Sequence, residues 1–324
     1  MIGPAVICWR INYLRPVKCS TSCSEMDGTA AVQQPALGDT KDRSHSARLR
    51  GLKIASIMGL VGILYAWTLG DLAHDWWIFP NLSQGMLIPP LALYLAWQDR
   101  SRTLALPVES DWRGVFLLLL SSVLFLAGKL GAEFFLPRIS FVLLLMALTW
   151  MFWGGARLRA LAFPFMLLAT MVPLPALIYN SVATPLQLLA SEMATRLAQA
   201  CGVSVYQDGN IIHLATTSLG VEEACSGLNS LSALIVGSLL LGHVYSCRGL
   251  TRGLLLALSL PIAIAANILR VTGTAILADW DQDLALGFYH TFAGWLVFVV
   301  GYGMLFLTTK ALRHFLDKGP KRTP

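Results

Sequence analysis

From about residue 52 onward the chain alternates between long apolar runs and short polar connections. A helix needs about 20 apolar residues to cross the hydrocarbon core of a bilayer, or fewer where flanking residues snorkel to the interface. Residues 52–70, 84–98, 114–131, 138–154, 158–178, 227–245, 251–272 and 291–309 meet that requirement to different degrees. The second segment is short and interrupted by Pro89 and Pro90, a pattern suited to a re-entrant segment. This spacing predicts an all-α polytopic membrane protein with about eight transmembrane helices.

The longest connection, roughly 179–226, has patterning of its own. In SVATPLQLLASEMATRLAQACG, Leu186, Leu189, Met193 and Leu197 recur at helical spacing, and Glu192 and Arg196 form an i,i+4 pair. An amphipathic helix lying on or near the outer membrane surface is expected there. After Gly202, VSVYQDGNIIHL sets two β-prone runs around Asp-Gly-Asn, which predicts a short β-hairpin. The hairpin feeds directly into VEEACSGLNSL at 221–231, where two acids and Cys225 lead into an apolar run.

Composition agrees with this class: 56% of the 324 residues are hydrophobic and only 13% charged. The net charge of +6 does not point to a nucleic-acid partner, because the basic residues cluster between the apolar runs. Cytoplasmic loops are enriched in Lys and Arg, so these clusters report topology. With the N-terminus inside, every one of the 24 basic residues falls on the cytoplasmic side except Lys129, Arg138, Arg196 and Arg270. The opposite side collects Asp71, Asp75, Glu222, Glu223, Asp279, Asp281 and Asp283. Both termini are therefore expected in the cytoplasm, with the 179–226 connection and Cys225 facing outward.

Three regions follow: a largely disordered cytoplasmic segment 1–51, a transmembrane domain 52–313 and a basic cytoplasmic tail 314–324. The polar stretch opened by Met26 suggests that translation starts there. Cysteines at 8, 19, 23, 201, 225 and 247 form no CxxC pair, so neither a zinc site nor a disulfide framework is indicated. Cys201 shares the outer side with Cys225, and a bridge between them would remove the thiol.

Ionisable groups at membrane depth are costly and are functional candidates by default. The topology brings three to one face: Cys225 at the start of the sixth span, Arg270 near the end of the seventh and His290 at the start of the eighth. A thiol at a helix N-terminus is favoured as thiolate. The backbone N–H groups around Ser226 and Gly227 can donate to an oxyanion, and Gly227 admits close approach of a substrate. Asn267 shares a helical face with Arg270, whose forked guanidinium can hold a carboxylate or an oxyanion. His290 is suited to move a proton near neutral pH, with His74 and His213 as rivals on the same side. The plainer alternatives are a packed Cys225, a snorkelling Arg270 and an interfacial His290. A Cys/His pair with a nearby cation is the arrangement of an acyl-transferring thiol enzyme.

The runs EEACSGLNSL, ANILRVTGTAIL and FYHTFAGWLVF, in that order, resemble the signature segments of the exosortase/archaeosortase family. The similarity is best from about 170 to 309. It implies a multi-pass cysteine protease or transpeptidase of the cytoplasmic (inner) membrane, linked to protein sorting and exopolysaccharide or envelope biogenesis. The implied substrates are membrane-anchored proteins whose sorting tail carries a short Pro-containing motif, a membrane helix and a basic end. The implied acceptor is a glycan or lipid group, or water. The family's cysteine, arginine and histidine map onto Cys225, Arg270 and His290, and no cofactor or metal is implied. Ala293-Gly294-Trp295 stands where the family often has Ser-Gly-Trp. Two other readings stay open: a rhomboid-like serine protease using Ser226, and a non-enzymatic carrier of lipid-linked saccharide in which Arg270 binds phosphate.

Overall fold

The computed structural model describes residues 37–79, 82–215, 217–221, 228–281 and 290–316. The chain divides into units Met1–Leu60 and Val61–Pro324. Helix α1 (Leu37–Ile78) is already helical ahead of the first expected span. All the other described elements belong to the second unit.

After α1 comes a 3-10 turn, Ser83–Leu87, and helix α2 (Ile88–Gln98). Pro89 and Pro90 occupy the first turn of α2 rather than interrupting a helix. Proline is well placed there, because the missing N–H would have no intrahelical partner. At about 1.5 Å per residue the 11-residue α2 is too short to span alone. Helix α3 (Arg100–Ala105) follows, and its end is held by the buried Arg157. Nη2 of Arg157 donates to Leu104 O at 3.1 Å and to Leu106 O at 2.9 Å.

Helices α4 (Gly114–Leu130) and α5 (Phe135–Ala160) form an antiparallel pair. They touch near both ends at glycines: a Cβ on Gly114 would lie 2.8 Å from Met151 N, and one on Gly128 would overlap the Pro137 ring. Lipid tails are as apolar as leucine, so close backbone approach at small residues drives such pairing. Near its end α5 breaks at Gly154, whose φ of 86° and ψ of 167° are not helical. The Glu109 carbonyl presses against the space a side chain would need there.

The fifth expected span, 158–178, is not one helix. It comprises the end of α5, the eight-residue α6 (Ala162–Ala169), irregular backbone and the start of α7 (Ala176–Ala200). Pro173 and Pro175 supply no backbone N–H to continue α6. Burial compensates: Leu167, Met171 and Val172 pack with Leu72, Ile88, Ala92 and Leu95 in one apolar cluster.

Helix α7 covers the stretch read as amphipathic, and Glu192 and Arg196 pair at 2.5 Å. Its buried face differs from the leucine stripe expected to define it. Ala183, Ala190, Ser191, Ala194, Thr195 and Ala198 are buried, whereas Leu189 and Leu197 are exposed. The strands β1 (Val205–Asp208), β2 (Ile211–Leu214) and β3 (Ser218–Gly220) form an antiparallel sheet of order β1-β2-β3. β1 and β2 join through Gly209–Asn210, with Gly209 at φ 62°, a left-handed value that a two-residue turn of this kind requires of its first residue. A third strand therefore adds to the expected pair.

Helices α8 (Leu228–Val244), α9 (Gly249–Trp280) and α10 (His290–Leu316) form the last group. Tyr302 Oη donates to Ala233 O at 2.9 Å, while Leu234, Leu255 and Leu305 are buried between the helices. Among the described residues, Ala55–Ile78, Phe135–Ala160, Gly249–Trp280 and Gly294–Leu316 are long and apolar enough to cross a membrane; Gly114–Leu130 and Ser230–Val244 are shorter apolar helices.

Candidate functional site

Arg270 lies on α9, and its guanidinium rests against α10. A Cβ on Gly294 would come within 3.6 Å of Arg270 Nη2, an ordinary van der Waals separation. Residue 290 precedes Gly294 by one helical turn, so the two share a face of α10. The backbone of His290 therefore lies one turn from the Arg270 guanidinium. The His290 side chain is outside what the structure describes.

Around Arg270 the α9 surface is polar for a membrane helix. Asn267, one turn earlier, is only 2% exposed, and Thr272 and Thr274 are also buried. Thr274 Oγ1 donates to Arg270 O at 3.0 Å and Thr272 Oγ1 to Ile268 O at 2.8 Å, so these hydroxyls satisfy themselves on the helix. Arg270 is half-buried, with its Nε fully covered.

Cys225, Ser226 and Gly227 fall in 222–227, outside the described residues. The residues on either side are described. On one side, Val221 is buried in the cluster that joins the sheet to Ala194 and Ala198 of α7 and to Val271, Ala275 and Ala278 of α9. Val221 N donates to Asn210 O at 2.8 Å, and Asn210 Nδ2 donates to Val221 O at 3.3 Å, so the turn residue grips the chain just before the cysteine segment. On the other side, Leu228 opens α8. Chain length alone keeps Cys225 within about 14 Å of Val221 and about 11 Å of Leu228, at no more than about 3.6 Å per residue.

Helix register relates these anchors to Arg270. Gly242 of α8 faces Arg252 of α9, where an added Cβ would lie 3.1 Å from Arg252 Cγ. Arg270 lies about 27 Å further along α9 at 1.5 Å per residue. Because α8 and α9 are antiparallel, the N-terminal end of α8 lies about 21 Å back along α8 from Gly242, about 6 Å short of the level of Arg270. The α10 contacts place Gly301 against Leu234 and Tyr302 against Ala233, so the start of α10 lies about 8 Å beyond the start of α8, on the side of Arg270.

A further contact escaped sequence reasoning. Gln84 Nε2, in the 3-10 turn after α1, donates to Ser232 Oγ in the first turns of α8 at 2.5 Å. It ties the end of α1 to that level of α8, and only a long-range pairing could have revealed it. The Asn210 grip was half visible in Asp-Gly-Asn, which predicts a turn but not what the turn holds.

The rival groups lie elsewhere or are engaged. Strand alternation puts Ile212 and Leu214 into the core cluster and His213 on the opposite face. There His213 Nδ1 bonds Ser218 Oγ at 2.7 Å and the ring stacks on Tyr206. His243 stacks on Phe163 at 3.8 Å, at the opposite end of α8, and His74 is exposed on α1. Cys201 is a free, exposed thiol at the end of α7, and Cys247 is buried.

The apolar helices and their buried polar face define an integral membrane protein. Residues 76–307, well over half of the chain, match the family described as Transmembrane exosortase (Exosortase_EpsH). The chain belongs to this family, and its function is of the membrane exosortase type. No curated protein and no solved structure matches the chain at a significant level.

Proposed function

We propose that the protein is a cysteine protease or transpeptidase that cleaves C-terminal sorting tails of exported, membrane-anchored proteins at the outer face of the cytoplasmic membrane. The observation that carries the reading is the contact of Arg270 with the first turns of α10, about 6–8 Å beyond the N-terminal end of α8 and on the side from which residues 222–227 enter it. In this reading the Cys225 thiolate attacks the scissile carbonyl and forms a thioacyl intermediate. Arg270 and the N–H groups around Ser226 and Gly227 stabilise the oxyanion, and buried Asn267 holds the polar face of α9. His290 gives a proton to the leaving amine and later takes one from the acceptor, a glycan or lipid group or water.

The proposed topology has eight crossings and cytoplasmic termini. Four are long helices and two are α4 and α8. The remaining two are assembled from short pieces, the 3-10 turn with α2 and α6 with the backbone after it. Irregular backbone at membrane depth is tolerated where protein covers it, as the shared apolar cluster does here. Basic residues at the far end of the last group support the orientation: Arg248 reaches Leu316 O, and Arg313 lies over the Tyr245 ring.

The serine reading, with Ser226 as nucleophile, is separated by covalent chemistry. Membranes containing the protein and a tailed substrate are treated with iodoacetamide or with a serine-directed phosphonate. Loss of cleavage with iodoacetamide alone, accompanied by carboxamidomethylation of Cys225, is expected. Inactivation by the phosphonate with alkylated enzyme still active would overturn the thiol mechanism.

A further inference from the structure

A second polar site lies away from Arg270, where α1, α4 and α5 meet. A cavity of about 140 Å³ opens there, lined among others by Thr68, Asp71, Lys129, Glu133, Phe134 and Arg138. Two of the four basic residues assigned to the outer side, Lys129 and Arg138, thus share one cleft with two carboxylates. Arg138 is buried and paired to Asp75 at 2.5 Å, which fixes the cleft wall. Glu133 accepts the N–H of Leu136 at 2.8 Å, capping α5.

Thr68 supplies an independent sign of a missing ligand. It is 4% exposed, it lines the cleft, and its Oγ1 is buried without a hydrogen-bond partner. Such a hydroxyl costs about 1–3 kcal/mol unless something bonds to it. The rim is apolar: Leu130, next to Lys129, and Phe134 are 80% and 68% exposed. Charges of both signs in a small cleft, flanked by apolar residues at the ends of membrane helices, match a lipid whose head is zwitterionic and whose tails run along the rim. The Gln84–Ser232 bond puts this end of α1 on the same membrane face as the start of α8.

We propose that this cleft binds the head group of a phospholipid carrying phosphate and a primary ammonium, with the phosphate at Lys129 and the Thr68 hydroxyl and the ammonium at Asp71 and Glu133. The carboxylates need an N–H donor, which distinguishes a primary from a quaternary ammonium. The proposal uses no catalytic residue and stands apart from the mechanism proposed above.

The test is native mass spectrometry of the full-length, delipidated protein mixed with defined lipids. Wild type is expected to retain phosphatidylethanolamine at least fivefold more than phosphatidylglycerol or phosphatidylcholine. Thr68→Val and Lys129→Ala are each expected to cut that retention at least fivefold. Valine removes the hydroxyl while filling a similar volume, and Lys129 is exposed, so both variants keep the fold, as the wild-type thermal midpoint would verify. Equal retention of the three lipids, or unchanged retention in both variants, would overturn the proposal. So would displacement of the lipid by soluble phosphoethanolamine at equal concentration, which would make the free head group the ligand.

Discussion

Arg270 is a half-buried charge on α9 whose guanidinium lies beside Gly294 of α10. Its proposed task is geometric as well as electrostatic, since a guanidinium offers a planar fork and an ammonium does not. Arg270→Lys is expected to lower substrate cleavage by about 10²-fold, comparable to losing one oxyanion donor, with unchanged expression and membrane insertion. Gly294 gives a graded companion. Gly294→Ala adds a methyl at ordinary contact distance and should leave cleavage within a few-fold of wild type. Gly294→Leu must displace the guanidinium, and a loss of about 10²-fold is expected from misplacement of that order. Equal rates for Ala and Leu, measured on the same tailed substrate, would remove Arg270 from the reaction.

At the scale of elements, the proposed site depends on what anchors the chain on either side of the cysteine segment. The sheet packs on the Val271–Ala278 face of α9 and grips Val221 through Asn210, so the chain enters the segment from a fixed point. Asn210→Ala removes the side-chain half of the grip, a loss of about 1 kcal/mol for one hydrogen bond. Slower cleavage is expected, with Cys201 still exposed to a maleimide and membrane insertion intact. An unchanged rate would show that the sheet does not position the segment.

Helix α7 shows which part of this organisation was legible. Its existence and the Glu192–Arg196 pair followed from spacing, but its buried face did not. The rule that leucines point inward assumes water outside. Beside lipid a leucine gains nothing by burial, and small residues such as Ala194 and Ala198 win the protein contact because they let backbones approach. The fifth expected span is not one continuous helix for a related reason: 158–178 is apolar enough, yet Pro173 and Pro175 break it and neighbouring helices cover the break. The residue types of Cys225, Arg270 and His290 were readable from topology. The relative levels of α8, α9 and α10 were not, because they rest on contacts such as Gly242 with Arg252 that join residues on different helices.

At the scale of the whole molecule, charge sorting along the last helix group supports an outward site. Arg248, Arg252, Lys310 and Arg313 gather at the end opposite Arg270, while Asp279 and Asp281 follow Arg270. Cys201 makes the orientation testable with a single thiol. With Cys8, Cys19, Cys23 and Cys225 all replaced by Ser, a membrane-impermeant maleimide applied to intact cells should label Cys201 and leave the buried Cys247 unlabelled. Labelling that appears only after the membrane holding the protein is permeabilised would invert the proposed topology.

The most direct measurement is cleavage of a co-expressed, membrane-anchored substrate bearing a Pro-containing motif, a membrane helix and a basic end, followed by immunoblot. The wild-type protein should release the tail, and Cys225→Ala should leave the substrate uncut while Ser226→Ala still cuts it. Full cleavage by Cys225→Ala, with loss in Ser226→Ala, would contradict the account.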